Sequence, residues 1–291
     1  MKELVIISGK GGTGKTSVTA SLAVLAHNAV VADCDVDAAD LHLVLAPEII
    51  EQHVFKSGHE AVVVADRCEN CGVCVLYCRY NAIRSYKDES GRSRVRIDPY
   101  ACEGCGVCVR FCPEQAIDFP ERVCGEWMIS QTRCAPMVHA RLGVAAENSG
   151  KLVSLVKSEA RKLAERENRE IVIVDGPPGI GCPVIASLSG ATQVLVVTEP
   201  TVSGEHDLER VLKLTNHFGI AAAVCVNKWD LNEQMTERIE ARAVELGAET
   251  AGRIRYDKAV TTAQVQAKAV VETDAASAAD IIEIWNYIKN K

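Results

Sequence analysis

The sequence predicts an α/β fold, with a mainly parallel sheet and helices on both faces, interrupted by a small inserted domain. The first observation is that short runs rich in valine and isoleucine alternate with longer amphipathic stretches, which is typical of strands joined by crossover helices. The second is a cysteine-dense region, roughly residues 67–120, whose apolar runs are short. Motifs that belong to one site lie on both sides of it, so we assign residues 1–65 and 121–291 to the main domain and 66–120 to the insert.

The periodicity places ten regular elements in the main domain. The predicted strands span residues 4–7, 30–34, 171–174, 194–197 and 222–226. The predicted helices span residues 16–28, 151–167, 204–217, 232–246 and 276–290. The last helix carries Ile281, Ile284, Trp285 and Ile288 on one face, and we expect that face to close the core.

Charge and hydropathy exclude several classes of protein. The net charge of −7 argues against general nucleic-acid binding, which needs a basic face. No run approaches the roughly 18 apolar residues of a membrane span, and the first apolar run leads directly into glycines, unlike a signal peptide. We therefore expect a cytoplasmic protein, in which thirteen cysteines favour metal binding over disulfides.

A phosphate-binding loop follows the first predicted strand. Gly9, Gly14, Lys15 and Thr16 match G-x-x-x-x-G-K-[ST], with a helix predicted after them. Backbone N–H groups of such a loop surround phosphate oxygens, the lysine neutralises the outer phosphates and the hydroxyl holds Mg²⁺. The motif predicts the fold of a P-loop NTPase with ATP and Mg²⁺ as ligands. The expected nucleotide contacts from the loop are Gly9, Lys10, Gly11, Gly12, Thr13, Gly14, Lys15, Thr16 and Ser17.

Carboxylates end two of the predicted strands, in "DCDVD" and "IVIVDGPPG". Strand ends of this kind lie beside the phosphate loop in doubly wound folds. Asp175 is therefore interpreted as the Walker B carboxylate that supports Mg²⁺. Period two places Asp33 and Asp35 on one side of their strand, where one could orient an attacking water. Asp37 and Asp40 are interpreted as acids that form the loop or cap a helix.

Together, "GKGGTGKT", "DCDVD" and "DGPPG" resemble the deviant Walker A ATPases, the group of MinD, ParA and Mrp, with the nitrogenase iron protein as a relative. The resemblance covers nearly all of the chain outside the insert. It implies that Lys10 reaches across an ATP-dependent dimer, with a second copy or a sister ATPase, to the partner's nucleotide. It also implies that Asp35 activates water, so that Lys10, Lys15, Asp35 and Asp175 form the catalytic set.

The motif "VNKWD" bears on the identity of the base. By the same resemblance, Asn227 contacts adenine. N-K-x-D is also a guanine-reading pattern, in which Asp230 would supply the acid. We favour ATP, and GTP stays open. The segment "TEPTVSG", which begins at Thr198, is expected to form another wall near the nucleotide.

The insert contains the spacing C-x2-C-x2-C-x3-C twice. This is the spacing of bacterial two-cluster ferredoxins, in which the fourth cysteine of each run binds the other cluster. One [4Fe–4S] cluster would then take Cys68, Cys71, Cys74 and Cys112, and the other Cys102, Cys105, Cys108 and Cys78. Zinc and disulfides are the alternatives; zinc usually takes four ligands in two pairs, and cytosolic disulfides are rare.

Five cysteines lie outside these runs. Cys34 and Cys225 occur in apolar strands and are expected in the core. Cys124 and Cys134 are either small buried residues or redox-active or metal-binding groups. Cys182, seven residues after Asp175, resembles in its position a cluster ligand of the nitrogenase iron protein. Residues 142–148, where a second such ligand would lie, contain no cysteine, so a further cluster there would need another ligand.

A MinD-type ATPase with an inserted two-cluster ferredoxin is itself a family that this chain resembles. The resemblance implies a protein that binds and slowly hydrolyses ATP, and that couples dimer closure to electron transfer or to metal-cofactor assembly on a protein partner. Two alternatives remain at this point: a scaffold or carrier of metal clusters of the Mrp type, and a positioning ATPase like MinD.

Overall fold

The computed structural model describes residues 1–143 and 149–291. Within this part, the chain divides into two compact units. The first contains residues 1–53, 126–142 and 149–291; the second contains residues 54–125 and Gly143. This second unit extends beyond residues 66–120, the range that the cysteine spacing predicts for the insert.

The described residues form thirteen strands and ten α-helices. The strands are β1 (Lys2–Ser8), β2 (Ala29–Asp33), β3 (Glu48–His59), β4 (Val62–Val63), β5 (Ile83–Lys87), β6 (Ser93–Ile97), β7 (Ile117–Asp118), β8 (Glu121–Gln131), β9 (Pro136–Leu142), β10 (Ile171–Pro178), β11 (Gln193–Thr198), β12 (Ala222–Asn227) and β13 (Glu249–Ile254). The helices are α1 (Lys15–Leu25), α2 (Leu41–Leu45), α3 (Val73–Tyr77), α4 (Val107–Arg110), α5 (Ser149–Arg166), α6 (Cys182–Leu188), α7 (Val202–His217), α8 (Glu233–Glu245), α9 (Ala259–Val265) and α10 (Ala276–Lys289).

The main sheet has the strand order β13-β12-β11-β1-β10-β2-β9-β8-β3, and neighbouring strands from β13 to β9 pair in parallel. Such strands bury both faces, which explains their continuous apolar runs. Leu4 and Ile6 of β1 pack with α1 and α10 in one buried cluster. Val5 and Ile7 point to the opposite face and are also buried. The predicted mainly parallel α/β sheet is confirmed.

All ten predicted elements of the main domain are present, with ends that differ by a few residues. The core role of the last helix is also confirmed, because Ile281, Ile284 and Ile288 are buried and Trp285 packs against them. One detail is wrong. β2 ends at Asp33, so Asp35 lies beyond the strand and its backbone N–H donates to Asp33 Oδ1 at 3.2 Å.

The second unit is built from two small antiparallel sheets, β4–β7 and β5–β6, and the short helices α3 and α4. Each helix follows a glycine with positive φ, Gly72 at 77° and Gly106 at 72°, at the same point of the two cysteine runs. A left-handed residue of this kind turns the chain sharply before the helix. The sequence duplication is therefore also a structural one.

Among the helices of the described residues, none combines the length and the hydrophobicity that a membrane span needs.

Candidate functional site

The loop between β1 and α1 opens into a cleft of about 900 Å³ in the first unit. Residues 11–17 line it, together with Asp35 and Asn227, whereas Gly9 and Lys10 do not. Gly14 has φ 88°, and a side chain there would collide with the Asn227 amide. Asn227 Nδ2 donates to the Thr13 carbonyl at 2.7 Å, so this amide braces the loop from β12.

Lys15 is buried between two carboxylates. Its Nζ lies 2.9 Å from Asp175 Oδ1 and 3.3 Å from Asp35 Oδ2. Burial alone would lower the pKa of Lys15, but Asp175 and Asp35 outweigh it and the pKa is raised, so the ammonium stays charged. The predicted catalytic residues Lys15, Asp35 and Asp175 therefore lie together, whereas Lys10 points elsewhere.

Asp175 is held by two hydroxyls of the helix that follows the loop. Thr16 Oγ1 donates to Asp175 Oδ2 at 3.0 Å, and Thr19 Oγ1 donates to Oδ1 at 2.7 Å. A hydroxyl and a carboxylate at this spacing are the usual pair around a nucleotide-bound Mg²⁺. The donor set thus fits the metal expected from the sequence. Thr19, which the motif did not identify, is fully buried and positions Asp175.

Asp33 is a buried carboxyl group whose hydrogen bonds and neighbouring charges do not fully offset the cost of burying its charge. Among the residues that the structure describes, its Oδ2 finds no hydrogen-bond partner, and burial together with the charge of Asp175 raises its pKa well above the ordinary value of 3.8. A raised carboxyl pKa means that the folded state binds the proton more tightly than the unfolded state. Its contribution to stability is therefore full at low pH and declines as the pH rises above 3.8.

Asp33→Asn should stabilise the first unit at pH 8 by about 1 kcal/mol or more, because it removes a poorly compensated buried charge. The gain over wild type should shrink at pH 5, since asparagine does not titrate. All three tryptophans, Trp127, Trp229 and Trp285, lie in this unit, so their fluorescence can follow its unfolding in urea at both pH values. Asp37→Asn, at an exposed neighbour, is the control; equal midpoints for Asp33→Asn and wild type at pH 8 would contradict the expectation.

Lys10 makes its contacts within its own chain. Its Nζ lies 2.6 Å from Glu199 Oε1, and it donates to Ser203 Oγ at 2.9 Å and Thr201 Oγ1 at 3.3 Å. Glu199 Oε2 also lies 3.4 Å from Lys228 Nζ, which donates to the Gly12 carbonyl at 3.3 Å. The two lysines lower the pKa of Glu199 against the opposing effect of its burial. The motifs did not single out Glu199 as a partner of Lys10.

Another wall of the cleft comes from the segment after β13 and from α9. Arg255, Tyr256 and Asp257 line it, and Gln264 donates to Ser17 Oγ at 2.8 Å. Asp230 is not among the lining residues; its Oδ1 accepts a hydrogen bond from the backbone N–H of Tyr256 at 2.7 Å. The acid of N-K-x-D therefore helps to hold this wall in place.

Two further cavities lie in the second unit, and each is lined by four cysteines. Cavity A is lined by Cys68, Cys71, Cys74 and Cys112. Cavity B is lined by Cys78, Cys102, Cys105 and Cys108. Each cavity thus takes three cysteines from one run and the fourth from the other.

The buried cysteine of each cavity interacts mainly with the other cysteines of its own cavity, and Cys74 also acts on Cys108. Burial raises the pKa of the Cys74 thiol, and the charges of Cys68, Cys112 and Cys71 add to the effect. Burial likewise raises the pKa of Cys108 to about 11, with contributions from Cys102, Cys105 and Cys74. In the described residues, no three His, Cys, Asp or Glu side chains converge on a point where they could bind a single metal ion. Four thiolates around a cluster bind four different irons, so they surround a volume and do not meet at one atom.

The remaining cysteines differ in exposure: three are buried, Cys134 is half-buried and Cys182 is exposed. Cys34 and Cys225 are fully buried, which confirms their core assignment. Cys124 is also buried, with its Sγ donating to the Ser57 carbonyl, and Cys134 packs beside a buried cluster near α2. Cys182 is exposed at the first residue of α6. Within residues 142–148, where a second cluster ligand would lie, residues 144–148 are outside the described part of the chain.

The parallel sheet, the phosphate loop and the convergence of Lys15, Thr16 and Asp175 define a P-loop nucleotide-binding protein. Residues 4–270 match the model of the CobQ/CobB/MinD/ParA nucleotide-binding domain, and the chain belongs to this family.

The chain also has relatives in sequence and proteins of similar fold among the solved structures. The uncharacterized protein MJ0578 of Methanocaldococcus jannaschii is 33% identical over 235 residues, which cover 79% of each chain. The uncharacterized protein MJ0579 of the same organism is 26% identical over 265 residues, covering 80% of this chain and 83% of its own. The cell division ATPase MinD of Pyrococcus furiosus has a similar fold, with a TM-score of 0.60 at 18% identity, covering 99% of this chain and 98% of its own. The septum site-determining protein MinD of Pyrococcus horikoshii, complexed with Mg-ADP, gives 0.61 at 16% identity, covering 99% and 95%.

Proposed function

We propose that this protein binds and hydrolyses ATP with Mg²⁺, and that it couples nucleotide-dependent dimer closure to electron transfer or to metal-cofactor assembly on a partner protein. The observation that carries the proposal is that one chain combines the phosphate site around Lys15 with the two four-cysteine cavities. Either site alone has a simpler explanation, as a MinD-like ATPase or as an electron carrier.

The donor sets support two [4Fe–4S] clusters as the groups held in cavities A and B. Cavity A would use Cys68, Cys71, Cys74 and Cys112, and cavity B would use Cys78, Cys102, Cys105 and Cys108. Four thiolates around each of two cavities are the ligand set of a two-cluster ferredoxin, whereas zinc would require them to converge on one atom. When bound, such clusters supply reversible one-electron storage.

At the phosphate site, the chain's own residues account for the expected chemistry. Lys15 lies where it can neutralise the outer phosphates, and Thr16 with Asp175 would hold Mg²⁺. Asp35, whose pKa is raised by burial, lines the cleft and would orient the attacking water. We propose that Lys10 leaves Glu199 on closure and contacts the partner subunit's nucleotide, and that Asn227 lies near the adenine.

An EPR titration against potential, with and without Mg-ATP, tests the coupling on protein purified without oxygen. A change in midpoint potential or line shape on adding nucleotide is expected, because a coupling between two sites must be visible from either of them. Identical titrations would refute coupling in the isolated protein, and an absence of cluster signals would refute the cluster assignment itself.

A scaffold or carrier of metal clusters is the second candidate function, favoured by the exposed Cys182. An exposed thiol at the start of a helix can act as a ligand to a metal cluster during its transfer between proteins, which a buried thiol cannot. That function predicts labile iron beyond the two clusters, and this iron should be lost in Cys182→Ala. A MinD-like positioning role predicts instead that the protein sediments with lipid vesicles in an ATP-dependent way.

A further inference from the structure

The β5–β6 hairpin of the second unit has two chemically different faces. The two strands pair in antiparallel register, with Ile83 opposite Ile97 and Arg84 opposite Arg96. Because side chains alternate across a strand, Ile83, Val95 and Ile97 share one face. Arg84, Tyr86, Arg94 and Arg96 share the other, which we call the basic face.

The apolar side of this hairpin lines both cysteine cavities. Ile83 and Ile97 line cavity B, and Val95 lines cavity A. Ile83 and Val95 are also members of the buried cluster that contains Cys74 and Cys108. The basic face is therefore separated from both sets of cysteines by a single strand layer.

The basic face concentrates positive charge in an acidic chain. The four residues of the basic face include three arginines and no acid, although the whole chain carries −7. Arg84 and Arg96 are exposed and directly opposite each other, an arrangement of like charges that destabilises a strand pair. Within the described part of the chain, neither arginine has a carboxylate partner, whereas Arg94 lies 3.0 Å from Asp88.

The hairpin is also held in shape by its own turn. Asp88 Oδ1 accepts hydrogen bonds from the backbone N–H groups of Ser90 at 3.0 Å and Arg92 at 2.9 Å. On the basic face, the Arg96 guanidinium lies over the Tyr86 ring, 5.8 Å from its centroid. A pre-ordered surface loses less entropy when a partner binds.

We propose that the basic face docks an acidic redox protein that exchanges electrons with the groups in cavities A and B. This inference rests on the proposed redox function. Uncompensated arginines fit a carboxylate-rich surface, and complementary charge speeds weak, transient encounters of the kind made by electron carriers. The position fits this occupant, because electron transfer needs a short path between the two redox centres and the path here crosses one layer of aliphatic side chains.

The test uses the full chain, purified without oxygen, and an acidic flavodoxin as the probe. Calorimetric titration at low ionic strength measures binding, and stopped-flow absorbance measures electron transfer from the reduced probe. In Arg84→Glu/Arg96→Glu, we expect both the affinity and the second-order rate to fall at least about tenfold, with the difference shrinking at high salt. Arg84→Lys/Arg96→Lys keeps the charge and should stay close to wild type.

The charge-matched control is Arg166→Glu/Lys213→Glu, which changes two exposed cations of the first unit by the same total charge. Equal losses in this control and in the hairpin variant would overturn the proposal, because net charge alone would then explain them. Unchanged binding and rate in the hairpin variant would also overturn it. So would selective loss of binding to phosphatidylglycerol vesicles or to duplex DNA while flavodoxin binding persists.

Two outcomes separate this proposal from the redox function on which it rests. Binding of flavodoxin that depends on Arg84 and Arg96, without any reduction of the chain, would retain the docking face and refute the redox role. Reduction at the wild-type rate in Arg84→Glu/Arg96→Glu would retain the redox role and refute the docking face.

Discussion

Cys112→Ala should remove the iron that we propose for cavity A and leave that proposed for cavity B, although Cys112 belongs to the same run as Cys102, Cys105 and Cys108. The reason is that Cys112 lines the cavity formed by the other run. A chain with about eight iron atoms should retain about four. Iron analysis and EPR of anaerobically purified protein measure the loss.

Two double variants test whether the fourth cysteine of each run belongs to the cavity of the other run. Cys68→Ala/Cys112→Ala should still retain about four iron atoms, because both cysteines line cavity A. Cys102→Ala/Cys112→Ala should lose nearly all iron, because one cysteine is removed from each cavity. The reverse result would show that each run binds its own cluster.

Asp35→Asn should slow ATP hydrolysis by about 10²- to 10⁴-fold, the usual effect of removing a group that accepts a proton or orients the nucleophile. Asp35 Oδ2 lies 3.3 Å from Lys15 Nζ, and burial raises the pKa of its carboxyl. Asparagine keeps the size of the side chain but is a poor proton acceptor. ATP affinity should change only a few-fold, because Lys15, Thr16 and the loop remain.

Asp37→Asn is the matched control, since Asp37 is an exposed acid two residues further along the same segment. It should hydrolyse ATP close to the wild-type rate. Steady-state phosphate release together with a nucleotide-binding titration distinguishes the two effects. Equal rates for Asp35→Asn and wild type would exclude Asp35 from the reaction, and a loss of ATP binding would assign it a role in the binding site.

The sequence predicts well the parts of this protein that depend on local spacing. The loop around Lys15 is recognisable because each of its residues must occupy one backbone position between a strand and a helix. The cysteine runs are recognisable because a tight turn fixes which thiols point to the same side. β12 and α10 are predicted because apolar runs and periodicity reflect burial directly.

Contacts between distant segments are less accessible from the sequence. β13, with the sequence ETAGRI, contains charged residues and Gly252 at φ 142°, so its composition does not indicate a strand; pairing with β12 forms it. Glu199 is similar, since only the folded chain brings it beside Lys10, far away in the sequence. The basic face can be identified only from the register of β5 and β6, because in the sequence alone its arginines look like ordinary solvated charges.

The ion pair between Lys10 and Glu199 competes with any other contact that the Lys10 ammonium could make. Its ammonium is already neutralised within its own chain, at 2.6 Å from the carboxylate. Any new contact that Lys10 makes to a phosphate contributes only the difference between two ion pairs, and not the whole strength of one. A small difference of this kind responds strongly to the charge of the incoming group. The pair with Glu199 therefore sets how strong a competing contact must be before Lys10 leaves it.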